Sequence, residues 1–124
     1  MEDWSCRGMW PVVVSARGKT IDVSPIANLL SLIVEDCAPK QVWLFGSRAR
    51  GTAGPESDWD LLVVVPDDTE ENRFDPLFAW QFHERARIRA DVILCRWSEF
   101  REDCTTPNTL VYEAYHDGVL IYEC

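Results

Sequence analysis

The stretch that decides the fold runs from residue 41 to residue 65 and reads QVWLFGSRARGTAGPESDWDLLVVV. Its first five residues, Gln41 to Phe45, have the apolar and aromatic character of a short buried strand. Its last eight, Asp58 to Val65, predict a second strand, and their continuous aliphatic half is typical of a central strand covered on both faces. Between the strands, a glycine turn at Gly46-Ser47 opens a short helix and a loop follows. The segment therefore predicts two buried strands joined across a glycine turn.

The segments on either side of this stretch predict alternating helices and strands. Upstream, apolar residues recur at helical spacing from Ser24, the predicted N-cap, as far as Pro39. Downstream, the pattern predicts a helix over residues 75–87, a strand over 90–95, short helices over 98–102 and 108–115, and a last strand over 119–122. A catalytic domain is expected over residues 24–124, and residues 1–23 are expected to form an N-terminal extension of unknown role, with a short strand at 11–14.

Length, charge and cysteine content narrow the function classes. A chain of 124 residues fits one compact domain. The net charge of −9 disfavours direct, nonspecific nucleic-acid binding, which depends on clustered Lys and Arg. The longest aliphatic run near the N-terminus, Val12 to Val14, is too short for a signal peptide or a membrane span, so a cytoplasmic location without a membrane partner is expected. The five cysteines form no CxxC pair, and reduced thiols are expected.

Three aspartates are candidates for metal binding. Asp58 and Asp60 lie two apart on a predicted strand, so their side chains would share one face with Cα atoms about 6.5 Å apart. Asp91 begins another short apolar strand, and an adjacent strand could place it beside the pair. Carboxylate oxygens are the ligands that magnesium prefers, and paired carboxylates can hold the two ions used in nucleotidyl transfer. The aspartates alone are equally typical of a solvated strand end, so the signal lies in their combination with the glycine turn.

The turn at Gly46-Ser47 is a candidate phosphate site. A turn that follows a strand and opens a helix directs backbone N–H groups and a hydroxyl to one place, and helix N-termini favour phosphate. Arg48 is assigned to the nucleotide with them, although an exposed helix turn carries arginines such as Arg48 and Arg50 for solubility just as readily. The two tryptophans that flank this region, Trp43 and Trp59, could stack a base, but core packing is the favoured interpretation.

In order and spacing these residues resemble the nucleotidyltransferase superfamily that includes DNA polymerase beta, and within it the minimal nucleotidyltransferase family. The matching motifs are Leu44-Phe45-Gly46-Ser47-Arg48-Ala49-Arg50-Gly51, then Ser57-Asp58-Trp59-Asp60-Leu61, then Ala90-Asp91-Val92. The resemblance implies an α/β fold with a small mixed β-sheet and helices packed mainly on one face. It also implies that Asp58 and Asp60 ligate both Mg²⁺ ions, that Asp91 holds the catalytic ion and helps to deprotonate the acceptor, and that Gly46 and Ser47 grip the ATP phosphates.

The resemblance further implies an enzyme that transfers AMP from ATP to a hydroxyl. Minimal members of the family often act as antitoxins of a HEPN ribonuclease toxin by adding AMP to a toxin tyrosine, and an acidic chain suits a basic partner. Two alternatives stay open at this point. One is a nucleotidyltransferase for small molecules, similar to enzymes that modify aminoglycosides, and the other is an antitoxin that neutralises its toxin by binding alone.

Overall fold

The computed structural model describes the backbone of residues 12–14, residue 18, and residues 20–124. In chain order the elements are β1 (Val12–Val14), β2 (Thr20–Asp22), a 3₁₀ turn (Ser24–Ile26), α1 (Ala27–Cys37), β3 (Gln41–Phe45), α2 (Ser47–Arg50), β4 (Trp59–Val65), a 3₁₀ helix (Glu71–Phe74), α3 (Pro76–Ala86), β5 (Ala90–Arg96), α4 (Trp97–Asp103), α5 (Leu110–Asp117) and β6 (Val119–Glu123). The helices and strands expected from residue 24 onward are all present, with ends shifted by a few residues.

A four-stranded mixed sheet forms the centre of the fold. Its strand order is β5-β4-β3-β6, with β3 antiparallel to both β4 and β6 and with β4 parallel to β5. The strand β4 is interior, and Leu61 to Val65 are completely buried, as the continuous aliphatic run predicts. The strands β1 and β2 form a separate antiparallel pair.

Apolar side chains cover both faces of this sheet. The two longest helices, α1 and α3, contribute Leu29, Leu30 and Phe82 to the larger core on one face. On the other face, Phe100 of α4 and Val111 of α5 pack against β4 and β5 in a smaller core. Alternate residues of β4 enter the two cores, which is the consequence of the period-two geometry of a strand. The expected α/β class with a small mixed sheet is confirmed.

Local hydrogen bonds explain two helix starts. The expectation that Ser24 caps the first helix is wrong, because its N–H donates to Oδ1 of Asp22 at 2.9 Å and the regular helix begins only at Ala27. Helix α1 ends at Cys37, where Ala38 adopts a left-handed conformation with φ of 46°. Asp75 caps α3 by accepting a hydrogen bond from the N–H of Leu77, an arrangement that satisfies an otherwise unpaired donor of the first turn.

The predicted domain boundary at residue 24 falls inside the packed region. Ile21 and Val23, just before that boundary, are buried in the larger core together with α1, and the assignment of residues 1–23 to a separate extension stays a prediction. The expectation of reduced thiols is wrong at Cys124, which is disulfide-bonded, whereas Cys37 and Cys95 are free and buried. Burial raises the pKa of Cys37 to about 11 and that of Cys95 to about 12. Within the described residues, none of the helices has the length and apolar character needed to cross a membrane.

Candidate active site

Three strand ends meet at one end of the sheet. Because β3 is antiparallel to β4, the last residue of β3, Phe45, lies opposite Asp60 near the start of β4. Because β4 is parallel to β5, Asp60 lies directly opposite Asp91 at the start of β5. Adjacent strands are about 4.8 Å apart, and residues in register direct their side chains to the same face. The strand order therefore places Asp91 beside Asp60, which is the neighbourhood the sequence could only suggest.

Gly46 brings the turn after β3 against the Asp60 carboxylate. Its backbone, with φ of 77° and ψ of −159°, lies in a region that essentially only glycine adopts. A Cβ atom on Gly46 would collide with Oδ2 of Asp60 and would lie 3.2 Å from its Cγ. Two features therefore favour glycine at this position. The backbone conformation is one that other residues rarely adopt, and a side chain here would displace the Asp60 carboxylate.

Ser47 is the first residue of α2 and is partly buried. The carbonyl of Gly46 accepts hydrogen bonds from the N–H groups of Ala49 and Arg50, both at 3.1 Å, so the single helical turn begins at the glycine. The first N–H groups of a helix have no partner within the helix. Because a side chain on Gly46 would meet the Asp60 carboxylate, the turn that begins this helix lies beside that carboxylate.

Asp58 occupies a different environment from Asp60. It precedes β4 by one residue, so the expectation that both aspartates lie on the strand is wrong for Asp58. Its Oδ1 is 3.1 Å from Nε of Arg89, with exposed side-chain fractions of 52% and 66%. The register explains this ion pair. Trp59 of β4 is opposite Ala90 of β5, so the residues that precede them, Asp58 and Arg89, are also neighbours. The N–H of Trp59 also donates to the carbonyl of Arg89 at 3.0 Å.

The electrostatic environment of Asp60 is unfavourable for its charged form. Burial raises the pKa of this carboxyl, the negative charges of Asp91 and Asp58 raise it further, and the positive charge of Arg50 lowers it. Asp60 is half-buried, whereas Asp91 is exposed. A cation bound between these carboxylates would remove the repulsion between them.

The carboxylates do not form a closed ligand cage. Within the described part of the chain, no three His, Cys, Asp or Glu side chains are close enough together to form a ready-made metal site. The ion pair with Arg89 accounts for part of this result, since it holds one oxygen of Asp58. The donor set of carboxylate oxygens nevertheless has the chemistry that magnesium prefers.

A match to a known protein family identifies the class of enzymes to which this chain belongs. The family described as nucleotidyltransferase domain matches residues 26–102, more than half of the chain. The chain belongs to this nucleotidyltransferase family. The matched range contains the glycine turn and all three candidate aspartates.

Solved structures and curated proteins were compared with this nucleotidyltransferase domain as well. A chain of a toxin-antitoxin structure with AMP-PNP is 22% identical with a TM-score of 0.54, and the match covers 78% of this chain and 73% of that one. At this identity the likeness shows the fold. A Sulfolobus solfataricus protein assigned as a nucleotidyltransferase is 30% identical with a TM-score of 0.47, and covers 75% of this chain and 76% of its own. The comparison with curated proteins gives no match.

The arginines of the nucleotidyltransferase turn have separate environments. The Arg48 guanidinium donates to the carbonyl of Ser57 at 2.8 and 3.2 Å and to that of Pro55 at 3.3 Å, and it lies 4.4 Å from the centre of the Trp59 ring. It therefore holds the loop that leads to Asp58. The charge of Arg50 instead acts on the candidate carboxylates, as its effect on the pKa of Asp60 shows.

The sequence pattern predicts a nucleotide contact for Arg48, whereas it does not indicate the ion pair that Arg89 makes with Asp58. Helical spacing places Arg48 and Arg50 on different sides of a short turn, but it does not indicate which of them faces the acids. Arg89 immediately precedes β5, and its pairing with Asp58 follows from the strand register. The tryptophan interpretation is confirmed: Trp59 is 4% exposed in the larger core, and Trp43 packs against Phe100 and Tyr115.

Proposed function

We propose that this nucleotidyltransferase transfers AMP from ATP to a hydroxyl group of a partner protein. Family membership supports nucleotidyl transfer. The observation that carries the proposal is the register that sets Asp60 opposite Asp91, with the Gly46 turn against Asp60. A turn that opens a helix next to carboxylate oxygens suits a triphosphate with its counterions, which supports the proposal. The similar toxin-antitoxin fold was solved with AMP-PNP, an ATP analogue.

The candidate residues have the following roles in the proposal. Gly46 and Ser47 bind the β- and γ-phosphates through the turn and the helix N-terminus. Asp58, Asp60 and Asp91 hold Mg²⁺, for which their oxygens are suitable ligands, and Mg²⁺ when bound neutralises phosphate charge at the reacting centre. The repulsion that raises the pKa of Asp60 supports a cation at this place. Asp58 can contribute fully only if its ion pair with Arg89 opens.

The proposed reaction is a single displacement at the α-phosphorus. The acceptor oxygen forms a bond to that phosphorus, the bond between the α-phosphorus and the bridging oxygen breaks, and pyrophosphate leaves with the electron pair. The proton of the acceptor hydroxyl passes to a base, a role for which exposed Asp91 is suited by position. The protein contributes chiefly position and electrostatics, and no covalent enzyme intermediate is needed.

Arg50 takes the place of Arg48 as the cationic residue nearest the triphosphate in this proposal. The hydrogen bonds of Arg48 to the carbonyls of Pro55 and Ser57 support a role in holding the loop. Arg50 lies near enough to Asp60 to lower its pKa, and its Nη1 is 3.9 Å from Oδ2 of Asp117, with 39% of the Arg50 side chain exposed. A guanidinium at this position can follow the charge of an incoming phosphate.

A HEPN-family ribonuclease toxin is the proposed partner, with a tyrosine hydroxyl as acceptor and antitoxin activity as the result. The net charge of −9 supports a basic partner. The test is co-expression of the chain with such a toxin, followed by intact-mass measurement of the toxin, which should gain one AMP.

The variant Asp58→Asn with Asp60→Asn should abolish both the added mass and the protection of the host. Asp68→Asn is the matched control, because Asp68 is exposed in a turn at the carboxyl end of β4, opposite the end that carries the site. Full protection by the double variant would refute the catalytic role and would favour neutralisation by binding alone. Transfer to small hydroxyl compounds in the absence of any protein would instead favour a small-molecule enzyme.

A further inference from the structure

A cavity of about 340 Å³ lies along the outer side of β5. One wall consists of five consecutive residues of this strand, Ala90 to Leu94. The opposite wall is formed by α3 and the 3₁₀ helix before it, through Phe74, Trp80 and His83. We name this cavity the β5 groove. Its volume is in the range of sites that bind ligands or side chains.

The groove follows the edge of the sheet and not one of its faces. Neighbouring residues of a strand direct their side chains to opposite faces, so five consecutive lining residues can only be approached together from the side of the backbone. In the part of the chain that the structure describes, β5 is one of the two outer strands of the sheet, and β6 is the other. An outer strand directs unpaired N–H and C=O groups away from the sheet, and these can pair with an added strand.

The two ends of the groove differ. At one end lies Asp91, which is opposite Asp60 in the candidate active site. At the other end, the Arg96 guanidinium donates to the carbonyls of Asp67 and Thr69 at 3.2 and 2.9 Å and pairs with Glu71 at 2.7 Å. These contacts hold the segment after β4 against the end of β5. The groove is therefore closed at the Arg96 end and open at the end where the candidate carboxylates lie.

The α3 wall carries the exposed aromatic surface of the groove. Trp80 is 53% exposed, and its ring stacks on His83 with ring centres 4.5 Å apart. Large aromatic side chains at the rim of a groove are characteristic of the residues that dominate protein-binding energy.

The charge of the groove favours a basic occupant. Asp75 and Asp91 both line it. Arg73 also lines it, but its guanidinium donates to the carbonyl of Asp36 at 2.9 Å and lies over the Phe78 ring. The positive charge of Arg73 is thus directed toward α1, and Arg89 at the site end of the groove is paired with Asp58, so the carboxylates of Asp75 and Asp91 set the charge of the lining.

From these contacts we infer that the acceptor is an extended, basic polypeptide segment that adds as a strand to the outer edge of β5 and places a hydroxyl side chain at Asp91. This inference rests on the proposed function, since it specifies the acceptor of the same transfer. Main-chain hydrogen bonds to β5 supply affinity, and Trp80 contacts the side chains of the segment. A bond forms between the hydroxyl oxygen and the α-phosphorus while the bond from that phosphorus to the bridging oxygen breaks. The hydroxyl proton passes to Asp91, and pyrophosphate leaves with the electron pair.

The test uses the full chain with Mg²⁺ and ATP labelled at the α-phosphate. The acceptors are ten-residue peptides that contain one Tyr, Ser or Thr within basic or acidic flanks, together with a panel of small hydroxyl compounds. We expect labelling of the basic peptides and at least a tenfold loss of kcat/KM for these peptides in Trp80→Ala. Leu110→Ala is the matched control, because Leu110 is an exposed apolar residue at the start of α5, outside the groove.

A second readout examines the backbone contact directly. Amide hydrogen exchange should slow in residues 90–94 when a basic peptide is added, and the same region should be unaffected by a small hydroxyl compound. Transfer to small compounds alone, equal labelling in Trp80→Ala and the wild type, or unchanged exchange in residues 90–94 would each overturn the peptide groove while leaving nucleotidyl transfer intact. Failure of the wild type to transfer AMP to any acceptor would count against the proposed function itself.

Discussion

Replacement of Gly46 by alanine should disable the site through the Asp60 carboxylate. The backbone at Gly46 has φ of 77° and ψ of −159°, and a residue with a side chain in this region costs about 1–3 kcal/mol. The new methyl group would also collide with Oδ2 of Asp60. To accommodate it, the carboxylate has to move away from the turn or the turn away from β4.

The expected size of the effect follows from these two terms. For a domain of this length, 1 kcal/mol corresponds to roughly 3–5 °C in Tm, so the backbone term alone lowers Tm by roughly 3–15 °C. A displacement of about 1 Å in a reacting site costs about 100-fold in rate. We therefore expect Gly46→Ala to fold, to melt earlier, and to lose about two orders of magnitude in AMP transfer.

Two measurements test this prediction. Thermal unfolding is monitored by circular dichroism, and activity is measured as transfer of labelled AMP from ATP. Gly54→Ala is the matched control, since a Cβ atom there has no neighbour within 4 Å and the backbone has no positive φ. The control should change stability by less than about 0.5 kcal/mol. Wild-type Tm and activity in Gly46→Ala would refute the argument, as would an equal loss in the Gly54 variant.

Three further predictions concern the charges around the site. Asp60→Asn should raise the free energy of unfolding of the metal-free protein at pH 7 while abolishing transfer, because folding raises the pKa of this carboxyl; urea titrations should show the gain shrink as the pH falls and vanish below the ordinary carboxyl pKa, where both the folded and the unfolded state are protonated. Arg89→Gln should cost less than about 1 kcal/mol, since the ion pair is exposed, and should tighten Mg²⁺ binding measured by calorimetry because Asp58 is released; weaker binding would contradict this. Arg50→Ala should raise KM for ATP several-fold, whereas Arg48→Ala should chiefly speed proteolysis of the loop at residues 51–58; the reverse pattern would contradict the assignment of the two arginines.

Local sequence patterns were sufficient for most elements of the fold and for naming the chemical groups of the candidate site. The strand at Gln41–Phe45 has the predicted ends, and β4 lies in the interior as its aliphatic run indicates. These predictions succeed because apolar runs and turn residues act over a few residues. The cap at Ser24 was predicted wrongly because Ser24 is itself the first residue of a 3₁₀ turn, where its N–H donates to Asp22, and the regular helix begins three residues later. The domain assignment of residues 1–23 stays a prediction, with Ile21 and Val23 already part of the core.

What the sequence by itself determined is therefore the set of chemical groups: a glycine turn after one strand and aspartates at the starts of two others. Only the tertiary structure decided which of these groups meet. The parallel register of β4 and β5 brings Asp91 to Asp60 and Arg89 to Asp58, and the path of the loop draws Arg48 away from the acids. The physical reason is that strand order and register depend on pairing between distant segments, which no short-range pattern of residues specifies.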